Sequence, residues 1–237
     1  MKPLLLAKMG STVSSLQPRR GDFEDWFLDG LGIPKEALLL VRVAEGEPLP
    51  APERVGGAIF TGSPAMISDR PSWSLATEAW LQAFLPFQQP VLGVCYGHQL
   101  VAQALGGEAG WNHHGREIGS IEVHLHDAAQ SDPLFGELSS PFVAQASHSQ
   151  SVLRLPPQST LLAGNGHDPH QAFRWGDRVW GTQFHPEFDG DIAAGYVRDR
   201  GEALKAEGLD PQALLQKCRD SPAGDQILKA FARLCFS

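Results

Sequence analysis

The sequence predicts an α/β protein: an open, mostly parallel twisted sheet flanked by helices, with a small antiparallel part and a helical C-terminal extension. Three observations lead there. Short apolar runs alternate with helix-spaced patterns through the first half of the chain. Strand-like segments separated by turns dominate residues 118–184. From residue 191 onward the pattern is helical.

Taken in order, Leu4 to Ala7 reads as a first buried strand. Asp22 to Leu31 reads as a helix, because Phe23, Trp26, Phe27 and Leu31 recur at helical spacing. Ala37 to Val43 and Gly57 to Phe60 read as further strands, separated by a proline-rich loop from Glu47 to Pro52. Ser72 to Leu85 carries Trp73, Ala76, Trp80, Ala83 and Phe84 on one helical stripe. Pro90 to Val94 gives a strand, and Gly97 to Leu105 a helix stopped by Gly106-Gly107. Strands follow at Ile118–Leu125, Phe142–Ala146, Thr160–Ala163, Gln171–Trp175 and Val179–Phe184, with Gly176-Asp177 as a hairpin turn. One helix is expected from Asp191 to Glu207, ending at Gly208. Asp210-Pro211 and Ser221-Pro222 each place a capping side chain before a proline at a helix start. The expected organisation is one α/β domain over residues 1–188, with residues 189–237 forming a helical extension packed on it.

Composition narrows the function. A formal charge of −8 and scattered Lys and Arg argue against nucleic-acid binding, which needs clustered cations. The apolar run Leu4 to Ala7 is too short for a secretory core or a membrane span, and no run of about 18 apolar residues exists elsewhere. Three cysteines, Cys95, Cys218 and Cys235, form neither a disulfide framework nor a zinc pattern, so a reducing, cytoplasmic setting is expected. No metal site is expected, since His113-His114 and His124/His126 lack cysteine or carboxylate neighbours at ligand spacing.

Cys95 stands between Gly93 and Gly97 at a strand–helix junction, the layout of a nucleophile elbow. At a helix start the thiol meets free N–H groups and the positive end of the helix dipole, both of which favour thiolate. The next N–H, that of Tyr96, can stabilise an oxyanion. A lone cysteine reads just as well as an inert buried side chain. His185-Pro186-Glu187 follows an apolar run. If the chain stays extended there, residues two apart share a side, and Glu187 can hold His185 Nδ1 while Nε2 faces a thiol. A surface His–Glu pair at a strand end is the alternative.

GVCYGHQL around Cys95 together with QFHPEF around His185 resembles the class I (triad-type) glutamine amidotransferase family, and in particular the glutaminase domain of GMP synthetase and its stand-alone relatives. The resemblance implies a flavodoxin-like fold and a catalytic set of Cys95, His185 and Glu187. It implies an oxyanion hole from Tyr96 and the Gly62-Ser63 loop, and substrate contacts from Gln99, Ser147 and His148. The family often has Asp two residues after that histidine; this chain has Gln150. No cofactor is implied.

The implied activity is hydrolysis of a γ-glutamyl amide through a cysteinyl thioester, releasing ammonia. The substrate is then glutamine or another γ-glutamyl small molecule. Neither an SGGxDS-type nor a GxxxxGK[ST] phosphate loop is present, so a separate synthetase subunit is the expected acceptor of the ammonia. A γ-glutamyl peptidase or amidase without a partner is the alternative. A non-catalytic binding module is a third reading, against which the intact Cys95, His185 and Glu187 set speaks. No nucleic-acid or membrane partner is expected.

Overall fold

The computed structural model describes residues 2–236. The chain opens with β1 (Leu4–Lys8), buried at every position, as a central parallel strand covered on both faces must be. A short α1 (Gln17–Arg20) leads to α2 (Phe23–Leu31), whose N-terminus is closed by a reciprocal capping box of Asp22 and Asp25. There follow β2 (Leu38–Arg42), β3 (Gly57–Phe60), α3 (Ser72–Phe84), β4 (Val91–Val94) and α4 (Tyr96–Ala104). The next strands are β5 (Glu108–Trp111), β6 (Glu117–Leu125), β7 (Phe142–His148), β8 (Gln150–Arg154), β9 (Ser159–Gly164), β10 (Ala172–Trp175) and β11 (Val179–Thr182). Helices α5 (Gly190–Asp199), α6 (Gly201–Ala206), α7 (Pro211–Lys217) and α8 (Pro222–Phe236) close the chain.

Nine strands form one sheet in the order β2-β1-β3-β4-β11-β10-β9-β6-β7. From β2 to β11 the pairings are parallel; from β11 to β7 they are antiparallel. The mostly parallel α/β reading therefore holds for the half that carries Cys95, and the antiparallel part is the other end of the same sheet. β5 and β8 pair separately. Sequence periodicity misses β5 because its four residues, Glu-Ala-Gly-Trp, offer no apolar alternation. Cross-strand hydrogen bonding to β8 supplies what propensity lacks.

Two apolar layers cover the sheet. On one face Phe27, Leu31, Trp180, Ile227 and Phe231 bring α2 and α8 together; on the other Phe60, Leu81, Phe84, Leu100 and Phe173 hold α3 and α4. No helix among the described residues is long and apolar enough to cross a membrane.

Two expected elements end early. The strand expected to run to Phe184 stops at Thr182. Beyond it the chain turns away: Gln183 N–H donates to the Gln171 carbonyl and His185 N–H to the Gln145 carbonyl, both at 2.8 Å. Pro186 and Glu187 then form a turn, not an extended segment. The helix expected from Asp191 to Glu207 breaks at Arg200, whose ψ of 9° leaves the helical range, and resumes as α6. The caps are mixed: Asp210 accepts from Gln212 and Ala213 N–H, whereas the Ser221 hydroxyl donates to the Val143 carbonyl of β7. Gly208 is left-handed (φ 80°), as a helix-ending glycine should be.

Candidate active site

The parallel strands β1, β3, β4 and β11 all end on one side of the sheet, and Cys95 sits directly after β4. This is where an open α/β sheet places its ligands. Cys95 has φ 53° and ψ −104°, a conformation that costs a non-glycine residue on the order of 1–3 kcal/mol. Three hydrogen bonds hold the elbow: Cys95 N–H to the Thr182 carbonyl (2.8 Å), Gly97 N–H to the Thr61 carbonyl (3.1 Å) and Gln99 N–H to the Cys95 carbonyl (3.1 Å). Both flanking glycines are sterically required. A Cβ on Gly93 would strike the Gly97 backbone, and one on Gly97 would strike the Phe60 carbonyl.

His185 lies across from the thiol. A Cβ on Gly62 would sit 2.8 Å from His185 Cε1 and 3.7 Å from Cys95 Cβ, so that loop, imidazole and thiol converge on one point. His185 Nδ1 faces Glu187 Oε1 at 2.7 Å, across the Pro186 turn, and its ring stacks on Phe188 with centroids 4.0 Å apart. The His–Glu contact thus comes from a tight turn; an extended chain is not needed. Burial alone would lower the His185 pKa. The Glu187 carboxylate and Cys95 outweigh it and raise the imidazole to about 10, so the ring holds its proton at neutral pH.

The Gly62-Ser63 loop is anchored through Thr61, which receives Met9 N–H on Oγ1 (2.9 Å) and whose N–H reaches the Ala7 carbonyl (3.2 Å). Ser63 Oγ accepts from Ala65 N–H at 3.1 Å, leaving the Ser63 side of the loop turned along the cavity wall. Tyr96 N–H is the first amide of α4, and the first amides of a helix have no intrahelical partner.

Two connected lobes surround Cys95 and share Ser63, Pro64, Ser147 and Arg200. The larger, about 180 Å³, is lined by Thr12, His185 and Tyr196; the smaller, about 70 Å³, by Gln99, His148 and Gln150. Of the site residues expected from the sequence, Cys95, Tyr96, Ser63, Gln99, Ser147, His148 and His185 line this cavity; Gly62 packs beside His185 and Cys95 next to it, and Glu187 backs His185. Gln99 is tied at its amide nitrogen to the Gln150 carbonyl (2.6 Å) and Gln183 Oε1 (3.0 Å). The Ser147 carbonyl lies 4.0 Å from Cys95 Sγ. The His148 ring points away into the core, where Nε2 meets Glu117 Oε2 at 3.0 Å. Sequence reading missed Glu117, Gln183 and Arg200. The first two sit in strands or turns distant in sequence, and Arg200 falls inside what reads as an uninterrupted helix. Among the described residues no group of three or more His, Cys, Asp or Glu could hold a metal ion.

A strained cysteine on a strand–helix elbow, a carboxylate-backed histidine and a glycine loop thus meet at the carboxyl ends of the parallel strands of an α/β fold. The glutamine amidotransferase class-I family model matches residues 52–198, and the chain belongs to that family. It is 37% identical over 144 residues to a GMP synthase [glutamine-hydrolyzing] of Aeropyrum pernix, covering 61% of this chain and 26% of that protein. It is 28% identical over 180 residues to a Methanopyrus kandleri protein named as one of the subunits of a GMP synthase [glutamine-hydrolyzing], covering 73% of this chain and 89% of that one. The chain therefore spans about a quarter of the first relative's length. In fold it matches the crystal structure of a glutamine amidotransferase from Thermotoga maritima with a TM-score of 0.74 at 20% identity, covering 100% of this chain and 97% of that one.

Proposed function

We propose that the chain hydrolyses a γ-glutamyl amide through a Cys95 thioester and releases ammonia for a separate synthetase subunit. The observation that carries this reading is the convergence of Cys95, His185 and the Gly62 loop, with Glu187 held 2.7 Å behind the imidazole. Relatives whose names make them one subunit of a GMP synthase support the partner.

The Cys95 thiolate attacks the γ-carbonyl carbon, and the carbonyl π electrons move onto oxygen. That oxyanion is received by Tyr96 N–H and the Gly62-Ser63 loop. His185, already protonated, gives its proton to the departing nitrogen, so that ammonia leaves and an Sγ–acyl thioester remains. The now neutral His185 takes a proton from water as the water attacks. The thioester then collapses to the carboxylic acid and the Cys95 thiolate, with the proton back on His185. Glu187 holds the ring and its tautomer without reacting. Gln99, Ser147 and His148 shape the acyl side of the cavity. In this reading residues 1–188 carry the chemistry, and the helices of residues 189–237 complete the wall of the site.

A second reading, a γ-glutamyl peptidase that needs no partner, is favoured by Gln150. Its side-chain amide is engaged on both ends by Ser68 (Nε2 to Oγ 2.7 Å; Ser68 N–H to Oε1 3.3 Å), so the smaller lobe offers no free carboxylate. Ammonia release from the purified chain, compared between glutamine and γ-glutamyl dipeptides, separates the two. Glutamine turnover, alone or upon addition of a synthetase subunit, supports the first; dipeptide cleavage alone supports the second. Failure of every γ-glutamyl compound, with and without partner, sinks both.

A further inference from the structure

Arg200 occupies an unusual place. It lines both lobes around Cys95, its Nε is buried, and its guanidinium makes no hydrogen bond or ion pair with any described residue. Arginine carries five donors and keeps its charge, so a partly buried guanidinium without a partner is a group awaiting an anion. The other arginine of the cavity, Arg116, is already satisfied: Nε and Nη2 meet the Glu207 carboxylate at 2.8 and 2.9 Å. Neither lobe is lined by an aspartate or glutamate. Beside the thiol and the Glu187-backed His185, the wall therefore offers one positive charge without an ion-pair partner and no carboxylate; Glu207, which holds Arg116, acts on Arg200 only through space. The break between α5 and α6 is what delivers it, because Arg200 is the residue at which the helix stops and restarts. The smaller lobe also opens, past Met66, Arg116 and Ser149, into a groove of about 450 Å³ that includes the exposed Trp111.

We propose that Arg200 is a specificity-determining residue: it pairs with a carboxylate on the acyl part of the substrate, and the site requires no free α-ammonium group. The substrate class is an anionic γ-carboxamide, with room for a substituent on the α-nitrogen. This deepens the γ-glutamyl amide reading and rests on it. A planar guanidinium suits a carboxylate through two parallel hydrogen bonds, whereas an ammonium would here find hydroxyl and carbonyl oxygens but no carboxylate.

The test compares four primary amides: L-glutamine, glutaramate and N-acetyl-L-glutamine, which keep the carboxylate, and L-glutamine α-methyl ester, which keeps the ammonium and loses the carboxylate. Wild type should turn over the first three with kcat/KM of the same order and the ester about 10- to 100-fold less well, as loss of one charge-assisted pair implies. Arg200→Gln should raise KM for the three carboxylates by about that factor, leave kcat near its wild-type value and leave the ester unchanged. Arg200→Lys should lose less than Arg200→Gln, and Arg198→Gln, exposed at the end of α5 and outside the cavity, should match wild type on all four amides.

An unchanged glutamine-to-ester ratio in Arg200→Gln overturns the proposal, as does turnover of glutamine with none of glutaramate or N-acetylglutamine. If wild type turns over none of the four, the amidase reading loses its support, and calorimetric titration of glutaramate decides the anion site independently. Binding to wild type that weakens in Arg200→Gln upholds the site; equal binding to both, or none to wild type, overturns it.

Discussion

Two buried histidine–glutamate pairs flank the cavity, His185 on the wall of the larger lobe and His148 on that of the smaller, each with its glutamate behind it, and they are built differently. His148 and Glu117 join neighbouring strands, and Glu117 is saturated: it accepts from Gln171 Nε2 (2.6 Å) and Asn165 Nδ2 (2.7 Å) besides facing His148 Nε2. His185 and Glu187 share one turn. Glu187 has a single partner, and its second oxygen is buried with none. Burial would raise the Glu117 pKa, but His148 and Asn165 outweigh it and hold the carboxyl below its ordinary value. A carboxylate whose acceptors are all engaged fixes structure. One that spends itself on a single imidazole beside a thiol fixes the charge on that imidazole. The residue types are the same in both pairs, and the difference lies in what else each carboxylate touches.

The largest expected effect that separates the two is on turnover. Cys95→Ala should abolish ammonia release, a fall of about 10⁴-fold or more, with little change in thermal midpoint. Retained amidase activity in that variant would remove the catalytic reading of the whole lobe. Gly62→Ala comes next. The added methyl needs the space of His185 Cε1, so activity and the rate of Cys95 alkylation should fall together while far-UV circular dichroism is unchanged.

Glu187→Ala should cost about 10- to 100-fold in kcat, the range expected for losing one hydrogen bond to a charged group. Glu117→Ala should show the reverse balance. It strands His148, Asn165 and Gln171 together, so the thermal midpoint should drop by roughly 6–15 °C while iodoacetamide still labels Cys95 at the wild-type rate at low temperature. If Glu117→Ala silences the thiol as Glu187→Ala does, the division between the two pairs is wrong.

The smallest expected effects are in pH dependence, and the pairs should fail at opposite ends. His185 is raised from 6.5 to about 10 on folding, so its contribution is fully present below about pH 6.5 and is lost as pH rises through about 10. Glu117 is depressed below 4.5, so its contribution is present above that value and is lost as pH falls through the lower folded value. Thermal melts across pH should therefore show a shallower alkaline limb in His185→Gln and a shallower acid limb in Glu117→Gln. Interchanged limbs would contradict the assignment.

Much of this was legible in the sequence because it rests on local chemistry. The glycines at 93 and 97 announce an elbow since no side chain fits there, and Leu4 to Lys8 announces a strand buried on both faces. The Cys95 and His185 motifs carried the family with them. Glu187 was found for a partly mistaken reason: it reaches His185 because the chain turns at Pro186, after leaving the β11 ladder for hydrogen bonds to the Gln171 and Gln145 carbonyls. Those partners are remote in sequence, and no periodicity reports them. Glu117 was missed for the same cause, since its role exists only where β6 meets β7.

The sequence by itself determined the parallel half of the sheet, the Cys95 elbow and the His185 motif, because each is specified by residues within a few positions of one another. Only the tertiary structure decided which carboxylate is saturated and which is spare, and that Arg200, two residues past the family match, swings from a broken helix into the cavity. Both depend on which distant backbone and side-chain groups the fold brings next to a buried polar atom. That competition is settled by packing, not by local pattern.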